Sequence, residues 1–393
     1  MFKFSLSAPG TMLLCGERNK SCVAASLDMR TVVTFSLFPP VDRREFIEIN
    51  FSSIQLHMKI PLDQYYRCFT DENYGFIYFP VMLHEKVKSF INSMTDYEGI
   101  YDPNNQTHKL SLQGFFFLLA SISFQKEIII KSSFIVELSS ELPIGESLGS
   151  SASFVVCLTA CFFRWYLLEK RKIRDTFKPK DLQHIMNYAT DCENYVYKSS
   201  NITDTVISTY GLIKMLDENS QVYSFFDVSS IKILLVSSNI SQSIEQSMEM
   251  KVKEHLSFTV AFVLKSIETV STKFNETLQE IDEKTYSLKQ MKIDEINSIH
   301  LINLYKKLAD LIHINQGLRR ALGTSHPNQD TICTIARDFS LGGKIVSSGG
   351  KYVFILLLPN SSDELIQDLI KIFESHNFPA KIASLNGSGV RFE

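Results

Sequence analysis

The first quarter of the chain has the two-residue hydrophobic alternation that is typical of β-strands. The segments that carry it are 2–8 and 46–56, while 12–15 is a continuous apolar run and 22–37 is rich in Val, Thr and Phe. Alternation of this kind places every second side chain on one face of a sheet. Pro9-Gly10 is expected to break the first strand, and Pro39-Pro40 to close the segment 22–37. The pattern therefore predicts an N-terminal quarter that is mostly β.

Beyond residue 80 the apolar spacing changes to the three to four residues of a helix, with strands between. It predicts helices at 81–94, 110–123, 151–172, 179–196, 329–338 and 363–376. Strands are predicted at 127–137, 205–216, 231–238, 344–346, 352–358 and 380–384. Residues 243–322 are helical in pattern and highly charged, with breaks expected near Thr272 and 294–298. The predicted fold class is α+β, with domains at 1–225 and 226–393.

Composition narrows the class of protein. The chain has 393 residues, of which 45% are hydrophobic and 21% charged, with a net charge of −3. These values fit a globular protein of two or three domains. No basic tract exceeds a few residues, which argues against a nucleic-acid partner. The cysteines number seven, an odd count without a CxxC pair, so free thiols in a reducing, cytoplasmic compartment are predicted.

The most apolar segment, residues 151–168, is a candidate for a membrane span. Arg164 interrupts it near its end, and Thr159 dilutes it. A transmembrane helix needs about 20 consecutive apolar residues. A helix buried in a protein core is therefore predicted, without contact to a membrane.

Residues 141–153, ELPIGESLGSSAS, follow a predicted strand and open the apolar helix. Glycines let the backbone turn tightly, and the N–H groups at the start of a helix converge on an anion. A serine hydroxyl in this position can also bind Mg²⁺. A serine N-cap after a glycine turn is the alternative interpretation. The spacing of Gly145 and Gly149 before Ser150, Ser151 and Ala152 favours a phosphate site.

Two further segments carry candidate chemistry. Glu193 and Asp204 are eleven residues apart across the loop KSSNIT, a spacing that can bring a metal ligand and a base to one cleft. Taken alone, both side chains also fit surface carboxylates. Residues 347–350, Ser-Ser-Gly-Gly, link two predicted strands and alone fit a hairpin turn.

Together these motifs resemble the mevalonate kinases of the GHMP kinase superfamily along almost the whole chain. Residues 7–17 are similar to the family's SAPGK…GEH motif, and residues 141–152 match ELPPGAGLGSSA at about nine positions. Residues 203–211, TDTVISTYG, resemble the family's VDNAVSTYG. The resemblance implies an N-terminal ribosomal-protein-S5-domain-2-like domain, a C-terminal ferredoxin-like α+β domain and an active site in the cleft between them.

The resemblance also implies an activity, the ATP-dependent phosphorylation of (R)-mevalonate in isoprenoid biosynthesis. Asp204 would be the base, with Arg18 as a second catalytic residue, and Ser151 and Glu193 would bind Mg²⁺. ATP would bind at Pro143, Gly145, Ser147, Gly149, Ser150, Ser151 and Ala152. Mevalonate would bind at Thr11, Glu17, Arg18 and Thr209. The resemblance further allows a homodimer.

Several residues depart from the family pattern. Thr11 replaces the family's lysine, and Arg18 replaces its histidine. Lys351 and Tyr352 replace glycines of the third motif, TGAGGGG. These departures keep open two alternatives, a GHMP-fold binding or regulatory protein that has lost catalysis and a kinase for another small alcohol.

Overall fold

The computed structural model describes residues 2–17, 20–39, 45–69, 79–199, 202–217, 221–226, 228, 231–240, 257–291, 298–347 and 350–393. The strands are β1 (Phe2–Gly16), β2 (Cys22–Leu37), β3 (Phe46–Phe51), β4 (Leu56–Pro61), β5 (Glu98–Ile100), β6 (Phe134–Ser140), β7 (Ile213–Leu216), β8 (Val222–Phe226), β9 (Ile231–Ser237), β10 (Gly343–Ile345), β11 (Tyr352–Leu356), β12 (Ala380–Leu385) and β13 (Arg391–Phe392). The helices are α1 (Leu62–Phe69), α2 (Pro80–Ser93), α3 (Gln106–Gln125), α4 (Ser150–Glu169), α5 (Pro179–Tyr195), α6 (Thr203–Tyr210), α7 (Ser257–Met291), α8 (Ile299–Ala321), α9 (Pro327–Asp338) and α10 (Asp363–Ser375).

Strands β1 and β2 form a long antiparallel pair at the centre of the N-terminal sheet. Their register runs from Phe2 opposite Leu37 to Gly16 opposite Cys22, with a shift between Pro9 and Thr11. Pro9-Gly10 therefore bends the strand, and the predicted break there is wrong. Strand β2 also pairs antiparallel with β6, and β6 pairs in parallel with β3. Helices α3, α4 and α5 and the apolar face of this sheet form the N-terminal core.

Helix α4 is a core helix, as predicted. Among the described helices it is the one whose length and composition would allow a membrane span, and 78% of its most apolar window is buried inside the fold. The guanidinium of Arg164 lies 4.7 Å from the centre of the Phe392 ring, which accommodates the charge at the helix's interrupted end. Cys157 and Cys161 are buried on this helix, and all seven cysteines are free thiols.

The C-terminal half contains a four-stranded antiparallel sheet in the spatial order β10-β11-β9-β12. Numbered along this half, the order is 2-3-1-4, which is the ferredoxin-like arrangement predicted for it. Helices α9 and α10 pack against one face of the sheet, and α8 contributes to the core on the other face. The sheet meets the N-terminal sheet where Leu385 of β12 pairs with Leu27 of β2. A domain boundary near residue 225 stays a prediction.

Three further local predictions were wrong. Residues 205–216, predicted as a strand, form helix α6 followed by the short strand β7. The β-branched residues of α6 favour a strand by intrinsic preference, but the helix buries Val206 and Ile207, and Ser208 Oγ donates a hydrogen bond to the Pro9 carbonyl. Strand β6 begins seven residues later than predicted, at Phe134. Helix α7 passes through Thr272 without a break.

A buried lysine lies where β10 of the C-terminal half meets β1. Lys344 is fully buried, and its Nζ donates hydrogen bonds to the carbonyl oxygens of Leu13 and Ile345 at 3.3 and 2.8 Å. Burial lowers the pKa of Lys344 from 10.5 to about 7, and the charge of Arg319 acts in the same direction. The nearby thiols of Cys15 and Cys333 have pKa values raised to about 11 and about 12, so both stay neutral at neutral pH.

We predict that this lysine makes stability rise with pH. The unfolded chain keeps the Lys344 proton up to about pH 10, whereas the folded chain releases it near pH 7, so the folded state binds fewer protons in between. The contribution of Lys344 to the free energy of unfolding should therefore increase from about pH 7 to pH 10, by at most about 1.4 kcal/mol per pH unit. The raised pKa values of Cys15 and Cys333 act in the opposite direction above about pH 9, so the lysine's effect is clearest between about pH 7 and 8. In Lys344→Met this increase should shrink, as measured by urea unfolding at several pH values. The exposed Lys371→Met should keep the wild-type slope, and an unchanged slope in Lys344→Met would contradict the prediction.

Candidate active site

The loop between β6 and α4 has the backbone geometry expected of an anion cradle. Gly145, Ser147 and Gly149 all have positive φ angles, of 73°, 64° and 70°. Gly149 is the N-cap of α4, so the N–H groups of Ser150 and the next residues have no carbonyl partner within the helix. Partial positive charge at such a helix start favours a phosphate.

Buried leucines fix both sides of the loop. Leu142 and Leu148 belong to the core shared by β1, β2 and the C-terminal sheet. The N–H of Thr11 donates to the Leu148 carbonyl oxygen at 3.0 Å. A Cβ added to Gly10 would lie 2.4 Å from Leu142 and 2.8 Å from the Leu148 oxygen. Strand β1 therefore passes directly against the loop and sets its position.

A cavity of about 450 Å³ opens beside the loop and collects most of the predicted site residues. Gly145, Ser147, Gly149, Ser150 and Ser151 line it together with Glu193 and Asp204. Glu193 is 4% exposed at the end of α5, and Asp204 is half-buried in the first turn of α6. The structure thus brings together three segments that are far apart in the sequence. Of the remaining loop residues, Ala152 is buried in the core and Pro143 lies outside the cavity lining.

Thr11 contacts the predicted base directly. Its Oγ1 donates a hydrogen bond of 2.7 Å to Oδ1 of Asp204. Thr11 is fully buried, and Gly149 leaves it the space it needs, because a Cβ at Gly149 would lie 2.1 Å from Thr11 Oγ1. The hydroxyl orients the carboxylate but brings no positive charge to it.

Two other predicted substrate residues, Glu17 and Thr209, are not part of the cavity lining. Glu17 forms an ion pair with the buried Arg319, with 2.7 Å between Oε2 and Nη2. Thr209 is 1% exposed, and its carbonyl oxygen accepts a hydrogen bond from Val390 N. Arg18 lies outside the residues that the structure describes.

The cavity lining also contains apolar side chains that no sequence motif indicates. They come from Phe51 at the end of β3, from Ile54 in the short 3-10 turn that follows, and from α3, α4 and the segment after α5. The apolar and aromatic members are Phe51, Ile54, Leu110, Phe154 and Tyr197. Their positions along the chain carry no motif, since ordinary core packing explains each one equally well.

The third predicted motif also reaches the loop. Gly350 approaches Ser147 closely, because a Cβ at Gly350 would lie 3.3 Å from the Ser147 Cβ. Lys351 Nζ lies 3.0 Å from Oε1 of Glu146, within the loop. Ser348 and Gly349 lie outside the described residues.

Two glycines of the loop give a matched test of its geometry. Gly149→Ala places a Cβ against Thr11 at positive φ, so we expect strain of about 1–2 kcal/mol plus an overpacking cost of about 1–3 kcal/mol. Gly145→Ala meets the same φ restriction, but no heavy atom lies within 4 Å of the new methyl group. Urea unfolding should show the larger loss for Gly149→Ala, and equal losses would contradict the packing described here.

A comparison with protein families covers the loop and both carboxylates. Residues 117–212 match the model described as the GHMP kinases N terminal domain. This range spans the end of α3, the loop, α4, α5 and α6. It therefore contains Glu193 and Asp204 as well as the candidate phosphate site.

Two mevalonate kinases align with nearly the whole chain. The chain is 26% identical over 411 residues to the mevalonate kinase of Candida albicans, covering 98% of this chain and 89% of that protein. It is 24% identical over 400 residues to the mevalonate kinase of Mus musculus, covering 98% and 94%.

Solved structures share the fold. The mevalonate kinase of Methanococcus jannaschii superposes with a TM-score of 0.66 at 17% identity, covering 98% of this chain and 99% of that one. The L. major mevalonate kinase in complex with R-mevalonate gives a TM-score of 0.62 at 14% identity, covering 99% and 97%. The chain thus has the two-domain fold of these enzymes, as predicted. Residues 117–212 are similar to a GHMP kinase N-terminal domain, and the chain resembles mevalonate kinases along nearly its whole length.

Proposed function

We propose that this protein is a mevalonate kinase, which transfers the γ-phosphoryl group of ATP to (R)-mevalonate and forms 5-phosphomevalonate. The observation that carries the proposal is the shared cavity, where the phosphate loop, Glu193 and Asp204 meet. Phosphoryl transfer depends on positioned oxygens and charge stabilisation more than on covalent chemistry. The similarity to mevalonate kinases over 98% of the chain supports mevalonate as the acceptor.

The cavity lining offers groups for both parts of ATP. The N–H groups of the loop and of the α4 start suit the triphosphate. Phe51, Leu110 and Phe154 also line the cavity and offer apolar and aromatic surface for a planar base. A volume of about 450 Å³ lies within the range of small-molecule sites.

The oxygen donors beside the loop fit Mg²⁺. Ser151 contributes a hydroxyl and Glu193 a carboxylate to the same cavity. No cluster of three or more His, Cys, Asp or Glu side chains with metal-site geometry occurs among the described residues. Mg²⁺ suits such a sparse set, because it commonly binds one or two protein oxygens together with waters and substrate phosphates. When bound, the ion would neutralise charge on the phosphates.

Asp204 is the base in this proposal. It stands in the first turn of α6 and lines the cavity beside the phosphate loop. Its carboxylate would accept the proton of the acceptor hydroxyl as that oxygen forms its bond to phosphorus and ADP leaves. Thr11 holds the carboxylate at 2.7 Å and fixes its orientation for this step.

The remaining parts of the proposal follow from the resemblance. By the resemblance, Thr11, Glu17, Arg18 and Thr209 would hold mevalonate, and Arg18 would supply positive charge near the transferred group. Glu17 and Thr209 do not line the cavity, so the cavity itself supports no contact of these two with the substrate. The reaction would belong to isoprenoid biosynthesis in the cytoplasm, and the protein would act as a homodimer. A second candidate, a GHMP-fold binding protein without catalysis, is favoured by one observation, the neutral Thr11 against Asp204 where the family has lysine.

The decisive test is ATP turnover with (R)-mevalonate. The wild type should form 5-phosphomevalonate, and Asp204→Ala should lower kcat by about 10²–10⁴-fold while it still binds ATP. Asp310→Ala, on the exposed face of α8, serves as the control and should keep full activity. Turnover that survives Asp204→Ala would refute the assigned base. A wild type without turnover on mevalonate or any other small alcohol would refute the enzyme assignment.

Thr11 offers a finer test of the site. Thr11→Val keeps the size of the side chain but removes the donor to Asp204, so kcat should fall about tenfold or more with little change in the affinity for ATP. Thr11→Ser keeps the hydroxyl and should retain most of the activity. Equal activity of the two variants in steady-state kinetics would show that the hydrogen bond does not matter for catalysis.

A further inference from the structure

A charged pair joins the phosphate loop to the C-terminal half of the chain. Lys351 Nζ donates a 3.0 Å hydrogen bond to Oε1 of Glu146. The two side chains are 39% and 21% exposed, so the pair is partly screened by water. Both residues depart from the motifs quoted above, since Glu146 stands where the loop motif has alanine and Lys351 where the third motif has glycine.

The backbone of Lys351 is held in place on both sides. The Gly350 carbonyl accepts a hydrogen bond from Gln329 Nε2 at 2.6 Å. The Lys351 carbonyl accepts hydrogen bonds from Ser238 N at 2.8 Å and Ser238 Oγ at 2.6 Å. Gln329 and Ser238 are buried, at 1% and 0% exposure. The side chain of Lys351 therefore extends from a fixed main-chain position, and its ammonium group reaches the loop.

Glu146 poses an electrostatic problem for an anion site. It lies between Gly145 and Ser147, both of which line the cavity beside the phosphate loop. Burial of the Tyr352 hydroxyl raises the pKa of that group, and the charge of Glu146 raises it further. A carboxylate at this place repels a triphosphate, whereas a paired ammonium group cancels that repulsion.

We propose that Lys351 sets the affinity of this chain for nucleotide phosphates, with Glu146 holding its ammonium group at the mouth of the phosphate loop. When ATP enters, the phosphates compete with Glu146 for the Lys351 charge. Thr11, which stands where the family has lysine, brings no positive charge to Asp204. Lys351 instead supplies a positive charge at the phosphate loop. The inference rests on the proposed nucleotide site but not on mevalonate as the acceptor.

Two single substitutions distinguish this role from a purely structural one, in which the ion pair only holds the loop to the C-terminal half. The two roles predict different directions for the change in ATP affinity. Glu146→Gln removes the competing carboxylate and should tighten ATP binding about three- to tenfold. Lys351→Met leaves Glu146 uncompensated and should weaken it about three- to tenfold. The double variant should return to within about twofold of the wild type, because it removes both charges. A purely structural role predicts that both single variants weaken binding.

Isothermal titration calorimetry of the full chain with ATP, ADP and adenosine measures these changes. The substitutions should not change the affinity for adenosine, and their effect on affinity should be larger for ATP than for ADP. Both effects should become smaller at high salt. Lys351→Arg keeps the charge and should bind ATP nearly as the wild type does, which covers the case of a poorly folded Lys351→Met. Lys371→Met removes an exposed lysine that pairs with Asp368 on α10 and should change nothing.

Three outcomes would overturn the inference. Unchanged ATP affinity in both Glu146→Gln and Lys351→Met would refute it and leave the nucleotide site intact. Weaker binding in both would reassign the pair to a purely structural role. A wild type that binds neither ATP nor ADP would refute the proposed nucleotide site itself, whereas nucleotide binding without mevalonate turnover would refute only the proposed acceptor.

Discussion

The close passage of β1 under the phosphate loop is the contact on which the site depends. Gly10 has no room for a side chain against Leu142 and Leu148, and Gly149 has none against Thr11. One backbone hydrogen bond, from Thr11 N to Leu148 O, fixes the distance between the two segments. Because the same Thr11 donates its hydroxyl to Asp204, the position of the loop and the orientation of the carboxylate are set together.

Buried cations connect the N-terminal strands to the C-terminal half. Arg30 donates to the carbonyl oxygens of Ser7, Ser388 and Gly389, and burial lowers its pKa to about 10. Arg319 donates to the Gly16 carbonyl and pairs with Glu17. Lys344 donates to the Leu13 carbonyl. Long donors of this kind give hydrogen bonds to main-chain carbonyl oxygens along β1 and near the C-terminus, and so join the two halves of the chain.

The site combines residues that match the family pattern with residues that depart from it, and two of the departing residues contact carboxylates. The loop glycines, Ser151, Glu193 and Asp204 line one cavity. Thr11 and Lys351 both depart from the family pattern, and each contacts a carboxylate, Asp204 in one case and Glu146 in the other. The contact of Lys351 with Glu146 joins two departing charges, whereas Thr11 is neutral and Asp204 matches the pattern. The negative charge that Glu146 adds to the loop is therefore compensated by a residue of the same site.

The sequence by itself determined most of the long regular elements, the buried character of α4 and the candidate loop, because these depend on local periodicity and short motifs. The ferredoxin-like order of the last strands was implied by the family resemblance and not by periodicity. The sequence also singled out Glu193 and Asp204. Only the tertiary structure decided that residues 203–210 form a helix, since packing against β1 overrides the strand preference of β-branched residues. It alone showed the apolar side chains of the cavity lining and the contacts of Thr11 and Lys351, because pairs separated by about 200 residues leave no local signal.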